Sequence, residues 1–246
     1  MQNGKKHEID MTVGRLFPAL ARFEVPVILS GVLQLAFNAA DLIVVGRFAG
    51  EIPLAAVGSN SAIVSLIVNV MLGICTGTSV MTARYFGAKN EESLQENIST
   101  SEFVGLGGGI LFGLIGIIAA EPLLNLMGTP EEVLPLAALY IRIYFAGLPV
   151  MQVYNFSSAI LRAVGDSKRP LYFLAAAGIV NVLLNLFFVI VLKMAVAGVA
   201  LATVISQCLS CFLTLRALIV SKAVYRLDVK HLKFSGKAFK EIIRIG

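Results

Sequence analysis

The chain alternates between six long apolar stretches and short segments that hold most of its charges. The apolar stretches cover approximately residues 25–45, 55–80, 101–120, 137–161, 170–192 and 196–220. Each is close to the ~20 residues that an α-helix needs to cross the hydrocarbon core of a bilayer. The stretches are continuous and do not alternate polar with apolar residues, which is atypical of membrane-spanning strands. The pattern therefore predicts an all-α integral membrane protein with a bundle of six transmembrane helices.

The composition points to the same class of protein. Of the 246 residues, 57% are hydrophobic and 14% are charged, and the mean hydropathy is +0.85. Soluble domains contain roughly 25% charged residues. Because a water-soluble domain this apolar could not cover its surface with polar groups, we expect a multi-pass protein whose main surroundings are the lipid bilayer.

The net charge of +5 reflects membrane topology. In a chain that crosses the bilayer six times, most Lys and Arg residues fall on the side that holds both termini, and the opposite side holds only Arg47 and Lys193, with Arg142 near the outer start of the fourth span. The positive-inside rule therefore places both termini in the cytoplasm. We expect a cell (plasma or inner) membrane location and no nucleic-acid partner.

The chain divides into three predicted segments. Residues 1–14 form a cytoplasmic tail, residues 15–221 form the six-helix lobe, and residues 222–246 form a cytoplasmic amphipathic connector that begins a missing second lobe. The basic amphipathic residues 237–246 resemble residues 15–24, which lead into the first span. Internal repeats are common in transporters, so this similarity predicts a second copy of the bundle.

Asp41 is the most informative polar residue because it lies inside the first apolar stretch. A charged side chain at bilayer depth costs at least ~2.5 kcal/mol, and such residues usually face a wet cavity and handle ions or protons. We expect no other Asp or Glu to lie so deep in an apolar stretch. Asp41 is therefore predicted to be functional, with a purely structural role as the alternative.

Three further polar side chains are expected at a similar depth. At ~1.5 Å per helical residue, Asp41 lies roughly 6–9 Å below the outer membrane edge, Asn185 and Thr203 about 10 Å and Asn181 about 16 Å. One carboxylate with amide and hydroxyl oxygens suits Na⁺ or a proton, so we predict ion or proton coupling at these four residues, with a possible Na⁺ bound by Asp41, Asn181 and Thr203. The alternative is that the neutral residues only join helices through hydrogen bonds.

Other residues are candidates for supporting roles. Asn38 shares a helix face with Asp41 because the two are three residues apart, and we consider Gln34, Asn38 and Asn155 as substrate-cavity residues, with helix joining as the alternative. Pro26 removes a helical hydrogen bond and is either a hinge of the first helix or simply its start. Glycines at positions 105, 109 and 113 predict close helix packing.

Enzymatic chemistry is not expected. The only histidines, His7 and His231, lie outside the apolar stretches, and no His, Cys and carboxylate residues have the spacing of metal ligands. No second deep carboxylate is available to act with Asp41 as an acid and base pair. We therefore expect no enzyme and no cofactor other than a coupling ion, Na⁺ or H⁺.

Three segments together resemble the multidrug and toxic compound extrusion (MATE) family of transporters. They are DLIVVGRFAGEIPLAAVG at 41–58, ARYFGAKN at 83–90 and AILRAVGDSKRP at 159–170. The resemblance covers essentially the whole chain and implies the first lobe of a two-lobe, twelve-helix antiporter. It also implies a drug-like, cationic or amphipathic small-molecule substrate that is exported in exchange for Na⁺ or H⁺, and a C-terminal lobe as partner.

The resemblance also assigns roles to site residues. The family's first-lobe ion site uses an Asp of helix 1, an Asn of helix 5 and, in some members, a Thr of helix 6, which are matched by Asp41, Asn181 and Thr203. Many members carry an acid where Asn185 stands, so the coupling ion stays open. The alternatives are a lipid-linked saccharide flippase, which usually lines its cavity with several cations where only Arg142 is available, or a non-transporting truncated membrane protein.

Overall fold

The computed structural model describes residues 16–246, so the predicted tail at 1–14 lies outside the described residues. The described part consists of helices joined by short loops, without strands. The helices are α1 (Leu16–Phe48), α2 (Glu51–Ser59), α3 (Ser61–Gly87), α4 (Glu91–Leu126), α5 (Leu134–Ala146), α6 (Leu148–Ala163), α7 (Lys168–Leu186, extended by a π-helical turn at Phe187–Val191), α8 (Ala195–Val220) and α9 (Gly236–Ile245).

The prediction of an all-α bundle with six spans is confirmed. Five helical segments are long and apolar enough to cross a membrane: α1, α2 together with α3, α4, α7 with its π-helical turn, and α8. The remaining span, the fourth along the chain, consists of α5 and α6, which are bent by 48° at Gly147. The bend is a departure from the continuous stretch expected at 137–161. A Cβ atom on Gly147 would lie 2.5 Å from Val204 Cγ2, so only glycine allows α8 to pack against the bend.

The second span is interrupted at Asn60, between α2 and α3. The fully buried Asn60 amide donates hydrogen bonds to the carbonyl oxygens of Ala56, at 2.8 Å, and Ala137, at 3.0 Å. The bond to Ala56 satisfies a backbone oxygen at the break, which the hydrocarbon core could not do. The side chain thus attaches the break in the second span to α5.

The helix α4 begins ten residues before the apolar stretch expected at 101–120. The Asn90 side chain caps it by accepting a hydrogen bond from Ser93 N at 3.1 Å, and Glu91 and Glu92 occupy the first turn, where the helix dipole favours acidic residues. The resulting helix has 36 residues, about 54 Å at 1.5 Å per residue. It therefore extends well beyond a ~30 Å hydrocarbon core.

The glycines of α4 form the surface on which α5 and α6 pack. A Cβ atom on Gly109 would lie 2.5 Å from Pro149 Cα, and one on Gly113 would lie 2.7 Å from the Phe145 carbonyl oxygen. A Cβ atom on Gly105 would contact the Phe156 ring at 2.9 Å. The predicted role of these three glycines in close helix packing agrees with this geometry.

The segment 222–246 ends in α9, which lies along α3. Its N-cap Ser235 accepts from Ala238 N, Tyr85 of α3 donates a hydrogen bond to Glu241 at 2.5 Å, and a Cβ atom on Gly77 would lie 2.1 Å from the Ile242 carbonyl oxygen. This helix is strongly amphipathic, with Ala238 and Ile242 buried against the lobe. The proposed domain boundaries and the cytoplasmic side of this segment stay predictions.

The close packing of the α4 glycines against α5 and α6 can be tested with a pair of matched variants. We expect Gly109→Ala to destabilise the protein by about 1–3 kcal/mol, because the new methyl group meets the backbone of Pro149. Gly107→Ala has open space within 4 Å, so it should leave stability unchanged or raise it through better helix propensity. Thermal unfolding in detergent compares the two variants; equal melting temperatures would contradict the packing role.

The charge asymmetry predicts which loops face the cytoplasm. In a background that replaces Cys75, Cys208 and Cys211, single cysteines at the exposed positions Lys89 and Lys168 should react with a membrane-impermeant maleimide only from the cytoplasmic side. A cysteine at the exposed Glu131 should react only from outside. Labelling of right-side-out and inverted vesicles measures this, and the reverse pattern would contradict the orientation.

Candidate functional site

Asp41 lies where α1, α7 and α8 meet and is 7% exposed. Its Oδ1 atom accepts a hydrogen bond from the Asn185 amide, and its Oδ2 atom lies 3.4 Å from Thr203 Oγ1. Asn185 also donates to Asn181 Oδ1 at 3.2 Å, and Asn181 donates to Thr203 Oγ1 at 3.5 Å. The four residues predicted at similar depth therefore form one hydrogen-bonded group; their role in ion binding stays a prediction.

The group contains more acceptors than donors. The Thr203 hydroxyl has a single proton, and its shorter contact is with the Val199 carbonyl oxygen at 3.0 Å rather than with Asp41 at 3.4 Å. Among the described residues, the enclosed Asn185 Oδ1 atom has no hydrogen-bond partner. An enclosed carboxylate that lacks donors is costly unless a proton or cation joins it. A carboxylate with neutral oxygen atoms beside it is the kind of ligand set that can bind Na⁺ or a proton.

Two local features bring these residues together. A Cβ atom on Gly178 would lie 1.8 Å from Phe37 Cε2, so this glycine lets α1 approach α7 one turn before Asp41. Lys193 and Ala195 have positive φ angles of 54° and 45°, which close a short turn between α7 and α8. This turn holds Asn185 beside Thr203. A π-helical turn begins at Phe187, just after Asn185, and such turns are frequent at functional sites.

Asp41, Asn181 and Thr203 line a cavity of about 290 Å³, whereas Asn185 lies behind it. The predicted cavity residues Gln34 and Asn38 line the same space. Its other lining residues are Phe37, Leu42, Val57, Asn60, Ser61, Val64, Ser65, Val68, Asn69, Tyr140, Tyr144, Leu174, Ala177, Gly178, Ser206 and Gln207. None of the described residues that line it is Lys, Arg or His, so Asp41 is its only formally charged group.

Three predicted residues lie elsewhere. Asn155 is not among the lining residues; its amide approaches Gln152 Oε1 at 3.4 Å on α6. Arg142 forms an exposed ion pair with Glu121 at 2.9 Å, outside the cavity. Pro26 lies ten residues inside α1, so the alternative that it marks the helix start is wrong.

Sequence reasoning missed several lining residues. Asn60 lies in the polar run Gly58-Ser-Asn-Ser61, which was visible as an interruption of the second apolar stretch. Tyr140 and Tyr144 are four residues apart and their rings stack with centroids 6.2 Å apart, so their spacing on one face of α5 was the available signal. Asn60 thus adds an amide group to the cavity lining, and the two tyrosines add aromatic rings that carry hydroxyl groups.

The expectation that Asp41 is the only deep carboxylate is corrected by Glu102. Its Oε1 atom accepts a hydrogen bond from Ser157 at 2.7 Å, and its Oε2 atom is enclosed without a hydrogen-bond partner among the described residues. The sequence placed Glu102 at the start of a helix, where solvent would reach it. Because α4 begins at Glu91, Glu102 instead lies three turns inside the helix, facing α6.

Comparison with known proteins places the chain in one family. The MatE family model matches residues 26–187. The probable multidrug resistance protein YpnP of Bacillus subtilis is 35% identical over 198 residues, which are 80% of this chain and 44% of that protein. The chain spans about half the length of the curated relatives it matches.

Solved structures agree with the fold. A MATE crystal structure in the bent conformation has a TM-score of 0.85 and 27% identity, covering 92% of this chain and 50% of that one. A MOP superfamily transporter from Pyrococcus furiosus has a TM-score of 0.89 and 26% identity, covering 99% of this chain and 54% of that one. A different function was suggested for that transporter from the reverse polarity of its binding pocket.

Proposed function

The chain belongs to the MatE family, and we propose that it forms the N-terminal lobe of an antiporter that exports drug-like, cationic or amphipathic compounds in exchange for Na⁺ or H⁺. The observation that carries this proposal is the Asp41 group. A carboxylate with too few donors is buried at the junction of three helices and lines a cavity large enough for part of a small organic molecule. This arrangement can bind a cation or proton and a substrate in contact with one another.

The chemistry of the cavity supports the proposed substrate class. Its only charge is negative, several of its polar groups are amides, and two tyrosines contribute aromatic surface. Cations interact favourably with both carboxylates and aromatic rings. The absence of Lys and Arg from its described lining disfavours an anionic, phosphate-bearing substrate, and therefore the flippase alternative. A curated relative named as a multidrug resistance protein is consistent with this class.

We propose that an ion or proton drives transport because it changes the relative stability of two shapes of the lobe. A ligand shifts a conformational equilibrium only by its differential affinity for the two states. Binding at Asp41 neutralises a buried carboxylate that has few hydrogen-bond donors, so it favours the closed junction of α1, α7 and α8. Competition of substrate and ion for Asp41 then couples their movements.

Pro26 is proposed as the hinge in α1. Proline cannot donate the backbone hydrogen bond that would reach the Arg22 carbonyl oxygen. One turn later, the Ser30 hydroxyl donates to the Pro26 carbonyl oxygen at 2.8 Å. Pro26 itself is buried, whereas its neighbours Val25, Ile28 and Leu29 are exposed, so these three side chains offer little resistance to bending there. Movement at Pro26 would carry Asp41, four turns further along the same helix.

We expect Asp41→Asn to abolish or strongly reduce ion-driven export while the protein stays folded. The amide keeps the shape and hydrogen bonds of the side chain but cannot attract a cation or release a proton. Export by the complete two-lobe transporter in proteoliposomes, measured against Na⁺ and pH gradients, checks this, with thermal unfolding as the test of folding. Wild-type export with unchanged ion dependence would make Asp41 structural and contradict the proposal.

The control for this measurement is Glu121→Gln. It removes one carboxylate in the same way, but from an exposed ion pair with Arg142 outside the cavity. An exposed pair contributes about 0–1 kcal/mol, so export and its ion dependence should stay close to those of the wild type. Equal loss in both variants would indicate a general effect of charge removal rather than a site at Asp41.

The variant Asn185→Asp tests which ion the group holds. It places a second carboxylate against Asp41, and two like charges held together favour retention of a cation or a shared proton. We expect tighter Na⁺ binding, or export shifted to higher pH. Asn125→Asp adds the same charge at an exposed position and should change neither. Export against Na⁺ and pH distinguishes the outcomes, and an unchanged profile for Asn185→Asp would contradict coupling through this group.

A further inference from the structure

A second cavity, of about 410 Å³, lies between the first turns of α7 and the last turns of α8. Its lining residues are Arg169, Phe173, Leu213, Arg216, Ala217, Val220, Ser221 and Lys222. Arg169 and Asn185 are sixteen residues apart on the same helix, about 24 Å, so this cavity lies at the end of the lobe opposite to Asp41. The charge asymmetry of the loops assigns that end to the cytoplasm.

The polar side of this cavity is basic. Arg169, Arg216 and Lys222 line it, and none of its described lining residues is acidic. The Arg169 Nε atom is paired with the fully buried Asp166 at 2.8 Å, which fixes the guanidinium group and neutralises one charge. Arg216 and Lys222 therefore leave about two uncompensated positive charges. The N-terminal dipole of α7 and the C-terminal dipole of α8 have opposite signs and largely cancel here.

The other side of this cavity is apolar. Phe173, Leu213 and Val220 form its wall, and Val220 is 68% exposed. Tyr172 and Phe212 are also exposed on the same helices, so apolar surface continues from the cavity along the lobe. A soluble anion would gain nothing from this wall, whereas a lipid would place its phosphate by the cations and its acyl chain along the apolar residues.

We propose that this cavity binds the headgroup of an anionic phospholipid of the cytoplasmic leaflet. Basic pockets between transmembrane helices at this level suit phosphate-bearing headgroups, and each cation near an anionic membrane surface adds to the attraction. The fixed Arg169 guanidinium group offers its two terminal nitrogens to phosphate oxygens in a planar geometry. Arg216 and Lys222 supply the net charge that distinguishes an anionic headgroup from a zwitterionic one.

The test measures binding of a fluorescent short-chain phosphatidylglycerol to the purified protein in a neutral detergent. We expect saturable binding that phosphatidylcholine does not displace and that Arg216→Gln/Lys222→Gln weakens at least tenfold, since two cations are lost. The matched control Lys230→Gln/Lys233→Gln removes the same charge from exposed positions nearby that do not line the cavity. Its affinity should stay within about twofold of the wild type.

Three results would overturn the proposal. Absence of saturable binding would mean that the cavity does not accept the lipid or is covered by other parts of the protein. Equal weakening in both double variants would indicate attraction to the basic surface as a whole. Displacement of the lipid by glycerol phosphate at equal concentration would indicate a site for a soluble phosphate. Equal thermal unfolding of the variants without lipid verifies folding, and none of these readouts depends on export or on Asp41.

Discussion

The burial of one carboxylate organises the packing of α1, α7 and α8 in this lobe. Asp41 can lie at membrane depth only if other groups replace the water that would solvate it. Asn185 of α7 donates to it and Thr203 of α8 lies beside it, and those two helices are held together by a short turn with two positive φ angles. The approach of α1 requires a glycine at position 178. The junction of three helices is therefore determined by the needs of one side chain.

The helices that surround this carboxylate are also the irregular ones. The second span breaks at Asn60, the fourth bends at Gly147, and α7 changes to a π-helical turn just after Asn185. Each irregularity frees backbone groups that hydrocarbon cannot satisfy. Asn60 donates its amide to the Ala56 oxygen beside the break and to the Ala137 oxygen of α5. The helix α4, by contrast, is continuous from Glu91 to Leu126 and packs its glycines against α5 and α6.

Hydropathy was enough to predict six spans, because it depends on single residues and their order along the chain. Helical spacing placed Asp41, Asn181, Asn185 and Thr203 at similar depth, and the structure joins them by hydrogen bonds. The sequence did not predict where helices break or begin. Asn60 donates to one carbonyl oxygen, that of Ala137, 77 residues away on α5, and the enclosure of Glu102 depends on a cap at Asn90 and on a serine of α6. Such features come from contacts between distant parts of the chain.

The same dependence on distant contacts determines what binding at Asp41 can accomplish. With α1 against α7 and α8, the Asn185 Oδ1 atom has no hydrogen-bond partner among the described residues and the Asp41 carboxylate has few donors, so we propose that a proton or cation relieves an electrostatic strain in this packing. If α1 moved away, water could solvate the carboxylate and this strain would disappear. In that proposal, occupancy of the site and the position of α1 depend on the same electrostatic free energy, and Pro26 of α1 is the proposed hinge. A neutral residue at position 41 would remove the strain and the linkage together.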